Sequence, residues 1–221
     1  MASTLGDVVL PEPITSDDVA MLQYTSGSTS LPKGVMLTHH NLLKNIQYFD
    51  QAMVHDAESK ILTWLPPFHD LGLIYGLLTP VFTDATCFIK PSPVFSQQPS
   101  RWIQAISDHR ITHTVAPNFA YDIARKSVTD AQLATLDLSC WVSALNGGEP
   151  VRAETLEAFA NYFMPAGFDK SVFNPCWGLA EASCIVTGSH NNSPSSCRQG
   201  RLPPLIIAVS RTALAEGKVA L

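Results

Sequence analysis

The chain has 221 residues, of which 46% are apolar and only 15% are charged, whereas soluble domains usually carry about 25% charged residues. This composition supplies enough apolar side chains for a buried core, and it excludes the disordered and fibrous classes. The formal net charge of -5 argues against a protein that binds nucleic acid through a basic surface.

The most apolar stretch, residues 71–83, carries no charge, but it has only 13 residues and contains Pro80. A membrane span needs about 20 residues, so we expect a buried helix here and no membrane span. The N-terminus lacks the basic and apolar regions of a secretory signal, which predicts a cytoplasmic protein. The five cysteines form no Cys-x-x-Cys pair, so reduced thiols are expected.

Regular patterning begins at Val19, and residues 1–18 are predicted to be a tail or linker. Residues 19–24 form an apolar run of strand length, which ends at a loop rich in glycine and hydroxyl side chains. A second short strand is predicted at 35–37. Thr38 is then placed to cap a helix that runs to Met53, because apolar residues recur there at helical spacing.

The rest of the chain alternates short apolar runs with helical patterns. Strands are predicted at 61–65, 85–89, 112–115, 141–145, 172–173, 184–187, 205–209 and 218–221, and helices at 70–82, 99–110, 118–127, 129–136 and 150–164. This alternation predicts an α/β fold with a mostly parallel sheet flanked by helices. In such sheets, ligands bind at the carboxyl ends of the strands.

The loop at residues 25–34 combines hydroxyl side chains, two glycines and one lysine. Such a loop offers many hydrogen-bond donors, little bulk and one positive charge, which predicts a phosphate-binding site. The Walker A pattern does not fit, because no glycine stands five residues after Gly27 and Lys33 is followed by Gly34. A mobile Ser/Gly linker is the alternative interpretation.

Three stretches resemble, in the same order, the motifs of the adenylate-forming (acyl-activating) superfamily: YTSGSTSLPKG at 24–34, LPPFHDLG at 65–72 and WGLAE at 177–181. Further matches make the chain most similar to the fatty acyl-AMP ligases of that superfamily: Gln23, residues 117–120 and residues 146–151. The chain departs from the usual pattern at Phe68 and Trp177, where tyrosine is frequent, and at Gly148, where alanine is frequent.

The resemblance implies a ligase that uses ATP and Mg²⁺ to convert a fatty acid to acyl-AMP and pyrophosphate, and that passes the acyl group to the phosphopantetheine of an acyl carrier protein. It implies that Lys33, His69 and Glu181 are catalytic, with Thr25 and Glu181 as metal ligands. The implied ATP-binding residues lie in the loop and in two later stretches: Thr25, Ser26, Gly27, Ser28, Thr29, Lys33, Asn146, Gly147, Gly148, Glu149, Pro150, Trp177, Gly178 and Leu179. The implied acyl contacts are Phe68, His69 and Phe119.

Each assignment has an alternative that the residues alone leave open. Asp70 is a good helix cap, so His69 and Asp70 can serve the helix start rather than a substrate. Trp177 can belong to the core, Glu181 to a solvated helix face, and residues 71–82 to plain core rather than an acyl tunnel.

The alternatives for the whole protein are an acyl-CoA synthetase, a peptide-synthetase adenylation domain and a non-catalytic nucleotide-binding or interaction module. The resemblance implies that residues 19–221 form the central and later part of an AMP-binding domain. The lysine-bearing C-terminal domain of the family is then expected outside this chain.

Overall fold

The structure, a computed structural model, describes residues 13–25 and 33–188. Its first two strands, β1 (Val19–Thr25) and β2 (Lys33–Thr38), pair antiparallel in a sheet of their own. Thr25 lies opposite Lys33, so the predicted phosphate loop connects the two strands of a hairpin. The first two strands therefore lie outside the mostly parallel sheet.

Helix α1 (His39–Met53) follows β2 directly, and the predicted cap and helix end are confirmed. The hydroxyl of Thr38 accepts a hydrogen bond from the N–H of Asn41 at 3.2 Å. In return, the Asn41 side chain accepts one from the N–H of Thr38 at 3.0 Å. These reciprocal bonds form a capping box, which satisfies two of the free N–H groups at the helix start.

The central sheet has six strands in the order β4-β3-β5-β6-β7-β8. They are β3 (Lys60–Thr63), β4 (Thr86–Ile89), β5 (His113–Ala116), β6 (Ser143–Asn146), β7 (Phe173–Gly178) and β8 (Ile185–Gly188). All neighbouring pairs are parallel except β7 and β8, which are antiparallel. The predicted α/β class with a mostly parallel sheet is therefore confirmed. The strand predicted at 172–173 begins one residue later and extends through Gly178, and those predicted at 205–209 and 218–221 lie outside the described residues.

A π-helical segment (Leu71–Leu78) continues into α2 (Thr79–Thr83) where one buried helix was predicted. The remaining helices are α3 (Ser92–Gln97), α4 (Ser100–His109), α5 (Asn118–Ser127), α6 (Asp130–Leu133) and α7 (Ala153–Phe163). Helix α3 was not predicted, and α6 is shorter than predicted. The helix predicted from residue 150 begins at Ala153, since the side-chain oxygen of Asn118 holds the N–H of Arg152 in the preceding loop at 3.1 Å.

The sheet lies between two apolar layers, because successive strand residues face opposite sides. Val115 packs in the layer that includes α1 and the π-helical segment, whereas its neighbour Ala116 packs in the layer that includes α4, α5 and α7. The central strands β5 and β6 are buried on both faces, and they include the buried polar residues His113 and Asn146 beside apolar ones. Among the helices of the described part of the chain, none combines the length and apolar character that crossing a membrane requires.

Candidate active site

One cavity of about 130 Å³ lies where several strands of the sheet end. It is lined by His69, Asp70, Leu71, Gly148, Cys176, Trp177, Gly178, Cys184 and Ile185. Six of these residues come from the second and third family-like motifs and from the loop after β6, three stretches that are far apart in the sequence. The other three (Cys176, Cys184 and Ile185) lie next to the third motif on β7 and at the start of β8. The fold therefore brings them together at the edge of the sheet where an α/β protein is expected to bind a ligand.

His69 and Asp70 form an ion pair at the start of the π-helical segment. Nδ1 of His69 lies 2.7 Å from Oδ1 of Asp70. The hydrogen bond to the Asp70 carboxylate raises the pKa of His69 above its ordinary value, against an opposing effect of partial burial. In the protonated ring, Nδ1 donates its hydrogen to the Asp70 carboxylate. The other ring nitrogen, Nε2, has no hydrogen-bond partner among the residues described.

The loop after β6 places a buried amide beside two conformationally special glycines. Asn146 is fully buried, and neither side-chain atom of its amide has a hydrogen-bond partner in the described structure. A Cβ atom on Gly147 would lie 2.3 Å from the sulfur of Cys176, and Gly148 has a φ of +85°. Both positions therefore favour glycine, one through close packing and the other through its backbone conformation.

Glu149 points its carboxylate at the start of α5. Its Oε1 accepts a hydrogen bond from the N–H of Phe119 at 2.5 Å, which satisfies one of the free N–H groups of the first helical turn. Phe119 keeps 47% of its surface exposed, and the loop residue Pro150 is also exposed. The predicted acyl contact Phe119 and the predicted nucleotide contact Glu149 are thus neighbours.

The third motif forms the end of β7 and the turn that follows it. Trp177 lies at the cavity with 56% of its surface exposed, so it is not a core residue. A Cβ atom on Gly178 would lie 1.7 Å from the backbone oxygen of Cys184, which requires glycine here. Leu179 precedes a 3-10 turn (Ala180–Ala182) that carries Glu181, which is half-buried.

The remaining predicted residues either do not line this cavity or lie outside the described residues. Thr25 and Lys33 are opposite each other at the end of the β1–β2 hairpin where the connecting loop begins. Phe68 precedes His69 and is 89% exposed. Four of the predicted ATP-binding residues lie outside the described residues: Ser26, Gly27, Ser28 and Thr29.

Two kinds of residue at the site were not predicted from the sequence. Cys176 and Cys184 line the cavity, and burial raises the pKa of Cys176 to about 12 and also raises that of Cys184, so both are neutral thiols at neutral pH. Asn45 of α1 hydrogen-bonds the chain just after Glu181. The sequence does indicate that Asn45 is unusual, because helical spacing places this polar residue on the apolar face of α1.

The described residues fit a nucleotide and a magnesium ion. The unpartnered amide of Asn146 can donate and accept hydrogen bonds, as the edge of a purine does. Mg²⁺ takes oxygen ligands, usually one or two from the protein and the rest from phosphates and water. Glu181 and Thr25 offer such oxygens, and residues 13–25 and 33–188 contain no group of three His, Cys, Asp or Glu that could form a site made of protein alone.

The sequence and the fold both match known proteins. Residues 3–209 match the family described as AMP-binding enzyme. The chain is 48% identical to the medium-chain-fatty-acid acyl-carrier-protein ligase JamA of Moorena producens over 174 residues, which cover 79% of this chain and 29% of that protein. The chain thus spans only a minor part of the length of this relative.

Solved structures of adenylate-forming enzymes also have a fold similar to that of this chain. A fatty acyl-adenylate ligase from L. pneumophila, crystallised with acyl adenylate and pyrophosphate, superposes with a TM-score of 0.79 at 45% identity, covering 83% of this chain and 33% of that one. McyG A-PCP, complexed with phenylalanyl-adenylate, superposes with a TM-score of 0.77 at 26% identity, covering 84% of this chain and 29% of the other.

Proposed function

The chain belongs to the family of AMP-binding enzymes, and from this we propose that the protein containing it activates a medium- or long-chain fatty acid with ATP. The products are acyl-AMP and pyrophosphate, and the acyl group then passes to the phosphopantetheine arm of a carrier protein. Two relatives support this: JamA, named as an acyl-carrier-protein ligase, and the L. pneumophila ligase, which holds acyl adenylate and pyrophosphate. Residues 19–221 are proposed to be the central and later part of the AMP-binding domain.

One observation carries the proposal. His69 after β3, Gly148 after β6 and Trp177 on β7 line the same cavity, although their motifs are far apart in the sequence. A substrate in this cavity therefore touches the second motif, the loop at 146–150 and the third motif at once. Such convergence at the carboxyl end of a parallel sheet is typical of a binding site.

The reaction joins two anions. A carboxylate oxygen of the fatty acid bonds to the α-phosphorus of ATP, and the bond from that phosphorus to the oxygen it shares with the β-phosphorus breaks, so that this oxygen leaves as a terminal oxygen of pyrophosphate. The site has to offset the repulsion and stabilise the charge that builds up on the phosphate oxygens. His69 is suited to this role, because Asp70 raises its pKa and favours the imidazolium, with Nε2 available to the substrate.

The phosphates and the metal are assigned to the β1–β2 hairpin and to the turn after β7. Lys33 and the loop at 26–32 bind the β- and γ-phosphates as they leave. Glu181 and Thr25 would hold Mg²⁺, which would supply positive charge to offset the negative charge of the phosphates. Trp177 offers an exposed ring for stacking on adenine, which a tyrosine would also do with a smaller surface.

The decisive assay is fatty-acid-dependent exchange of labelled pyrophosphate into ATP by the full-length protein. We expect exchange with at least one medium- or long-chain acid, and absence of exchange with every chain length would contradict the proposal. Lys33→Ala should lower the exchange rate about 100-fold, since it removes one pre-positioned charge. Lys126→Ala is the control, because Lys126 is exposed on α5 and pairs with Asp122.

A second candidate is an adenylation domain that activates an amino acid, and the likeness to McyG A-PCP favours it. The same exchange assay separates the two, because an adenylation domain of that kind responds to amino acids instead of fatty acids. Product analysis with CoA and with a carrier protein then decides the acceptor, which distinguishes an acyl-CoA synthetase. Binding of an acyl-AMP mimic by calorimetry without any exchange would indicate a non-catalytic module.

A further inference from the structure

Glu181 lies on the connection between two antiparallel strands. β7 ends at Gly178 and β8 begins at Ile185, and these two residues pair across the hairpin. The connection between them contains the single 3-10 turn Ala180–Ala182. The position of the Glu181 carboxylate therefore depends on what fixes residues 179–184.

Asn45 of α1 binds this connection from outside the hairpin. Its Nδ2 donates hydrogen bonds to the backbone oxygens of Ala182 at 3.3 Å and Ile185 at 2.9 Å. Its Oδ1 accepts a hydrogen bond from the N–H of Ile185 at 3.1 Å, and because that group can only donate, the amide orientation is fixed. Asn45 is only 8% exposed. The amide nitrogen and the amide oxygen of this buried side chain both form their hydrogen bonds with this one turn.

The turn needs such an anchor, because its backbone is strained. Ser183 has φ +76° and ψ -60°, a conformation that residues other than glycine rarely adopt, and it is only 5% exposed. Conformations of this kind persist only where the surroundings hold them. The bonds from Asn45 reach Ala182 and Ile185, so they fix the chain on both sides of Ser183.

Neither helix propensity nor apolar packing accounts for asparagine at this position. Asparagine is a poorer helix former than alanine, and the neighbouring buried positions of α1, such as Leu42 and Ile46, are apolar. α1 also follows β2 without a gap, so the helix that carries Asn45 is continuous with the hairpin that carries Lys33. Asn45 thus ties the proposed phosphate hairpin to the turn that carries Glu181.

We propose that Asn45 is a positioning residue that holds the strained turn at residues 180–185, so that the Glu181 carboxylate is presented to the metal–nucleotide complex. This inference rests on the proposed function, from which it takes the role of Glu181 in holding Mg²⁺. Asn45 itself acts only through the backbone of the turn.

The first test measures the turn without any need for activity. Hydrogen exchange of the backbone amides at residues 180–185, followed by mass spectrometry on the full-length protein, should rise at least about tenfold in Asn45→Ala and in the isosteric Asn45→Asp, because exchange follows local opening. The neighbouring exposed substitution Lys44→Ala should leave it unchanged. Wild-type exchange in Asn45→Ala would overturn the anchoring role.

The second test measures the link to the metal. In the pyrophosphate exchange assay, the Mg²⁺ concentration for half-maximal rate should rise about tenfold or more in Asn45→Ala, as is typical when the partner that orients a metal ligand is lost. The KM for the fatty acid should stay near the wild-type value. A Glu181→Gln variant should shift the same Mg²⁺ midpoint further, and Lys44→Ala should not shift it.

The outcomes separate this inference from the function on which it rests. A loosened turn with an unchanged Mg²⁺ midpoint, in a protein where Glu181→Gln does shift the midpoint, would overturn the positioning role alone. An unchanged midpoint in Glu181→Gln would instead contradict the metal role of Glu181 and, with it, this inference. If no fatty acid supports exchange in the wild type, the proposed function fails, and the amide exchange data still decide whether Asn45 anchors the turn.

Discussion

One carboxylate oxygen of Asp70 contacts both Leu71 and His69. Its Oδ1 accepts a hydrogen bond from the N–H of Leu71 at 2.6 Å and lies 2.7 Å from Nδ1 of His69. The capping and binding-site interpretations of this pair are therefore compatible, since the cap also orients the imidazole. The same interaction raises the pKa of His69, which increases the imidazolium fraction near neutral pH.

Replacing Asp70 by asparagine tests this coupling. Asp70→Asn keeps an oxygen for the N–H of Leu71 but removes the negative charge, so the pKa of His69 should fall. If the imidazolium aids the reaction, the alkaline limb of the pH–rate profile for pyrophosphate exchange should move to lower pH. The pKa is read directly from NMR titration of the His69 ring protons.

Asp84→Asn is the matched control, because Asp84 is exposed after α2 and does not line the cavity. It should change neither the titration of His69 nor the pH–rate profile. A lower pKa for His69 in Asp70→Asn together with an unmoved pH–rate profile would remove the imidazolium from the mechanism.

At the scale of elements, the buried helix predicted at 70–82 is a π-helical segment followed by α2. Pro80 has no N–H for the oxygen of Gly76, which accepts a weak hydrogen bond from the Cys87 thiol at 3.4 Å instead. A Cβ atom on Gly72 would lie 2.1 Å from the backbone oxygen of Pro66, so the segment approaches the loop that carries His69 very closely. The wider helix and its glycines thus set the distance between this segment and the site.

The junction of β6 and β7 gives a second element-scale prediction. Gly147→Ala should lower the free energy of unfolding by about 1–3 kcal/mol, because its Cβ would overlap the sulfur of Cys176. Cys176→Ala removes that sulfur, so the double variant should lose less stability than the two single losses together. Urea unfolding measures all three.

Gly188→Ala is the control for this cycle, because its Cβ would meet no atom closer than 3.4 Å. Its free energy of unfolding should stay close to that of the wild type. Additive losses in the Gly147 and Cys176 double variant would show that the two residues do not compete for the same space.

At the scale of the whole molecule, a pair of buried histidines lies between the sheet and α1. The rings of His55 and His113 are 4.6 Å apart, and Nε2 of His113 lies 3.0 Å from the backbone oxygen of Met53. Burial, together with the neighbouring His55, lowers the pKa of His113 to about 3. The folded protein therefore keeps this ring neutral at pH values where the unfolded chain protonates it.

The sign of the effect follows from this difference. The unfolded histidine titrates near its ordinary pKa of about 6.5, so above that pH neither state gains a proton and stability is unaffected. Below it the unfolded state binds one more proton, and the free energy of unfolding should fall by up to about 1.4 kcal/mol per pH unit until pH approaches 3.

Urea unfolding between pH 7.5 and 4.5 measures this slope. His113→Gln keeps a donor for the Met53 oxygen without a titrating ring, so its stability should depend less steeply on pH. His40→Gln is the control, because His40 is exposed. Equal slopes in the wild type and His113→Gln would assign acid unfolding to other groups.

Local patterns were enough to predict most elements. The structure confirms the cap at Thr38, the helix end at Met53 and the fold class. These features could be predicted because capping, helical spacing and apolar runs depend on near neighbours along the chain. The pairing of β1 with β2 and the length of β7 were missed, because strand partners and strand ends are set by distant contacts. The roles of His69, Lys33 and Glu181 stay predictions.

The sequence alone determined the alternation of strands and helices, the buried apolar faces and the order of the three motifs, since each depends on residue type and short-range spacing. Only the tertiary structure decided that His69, Gly148 and Trp177 share one cavity. It also decided that Asp70 both caps the π-helical segment and contacts His69, and that Asn45 holds the turn beside Glu181. The physical reason is that hydrogen bonds and close packing join residues up to 140 positions apart, a separation at which local patterns carry no information.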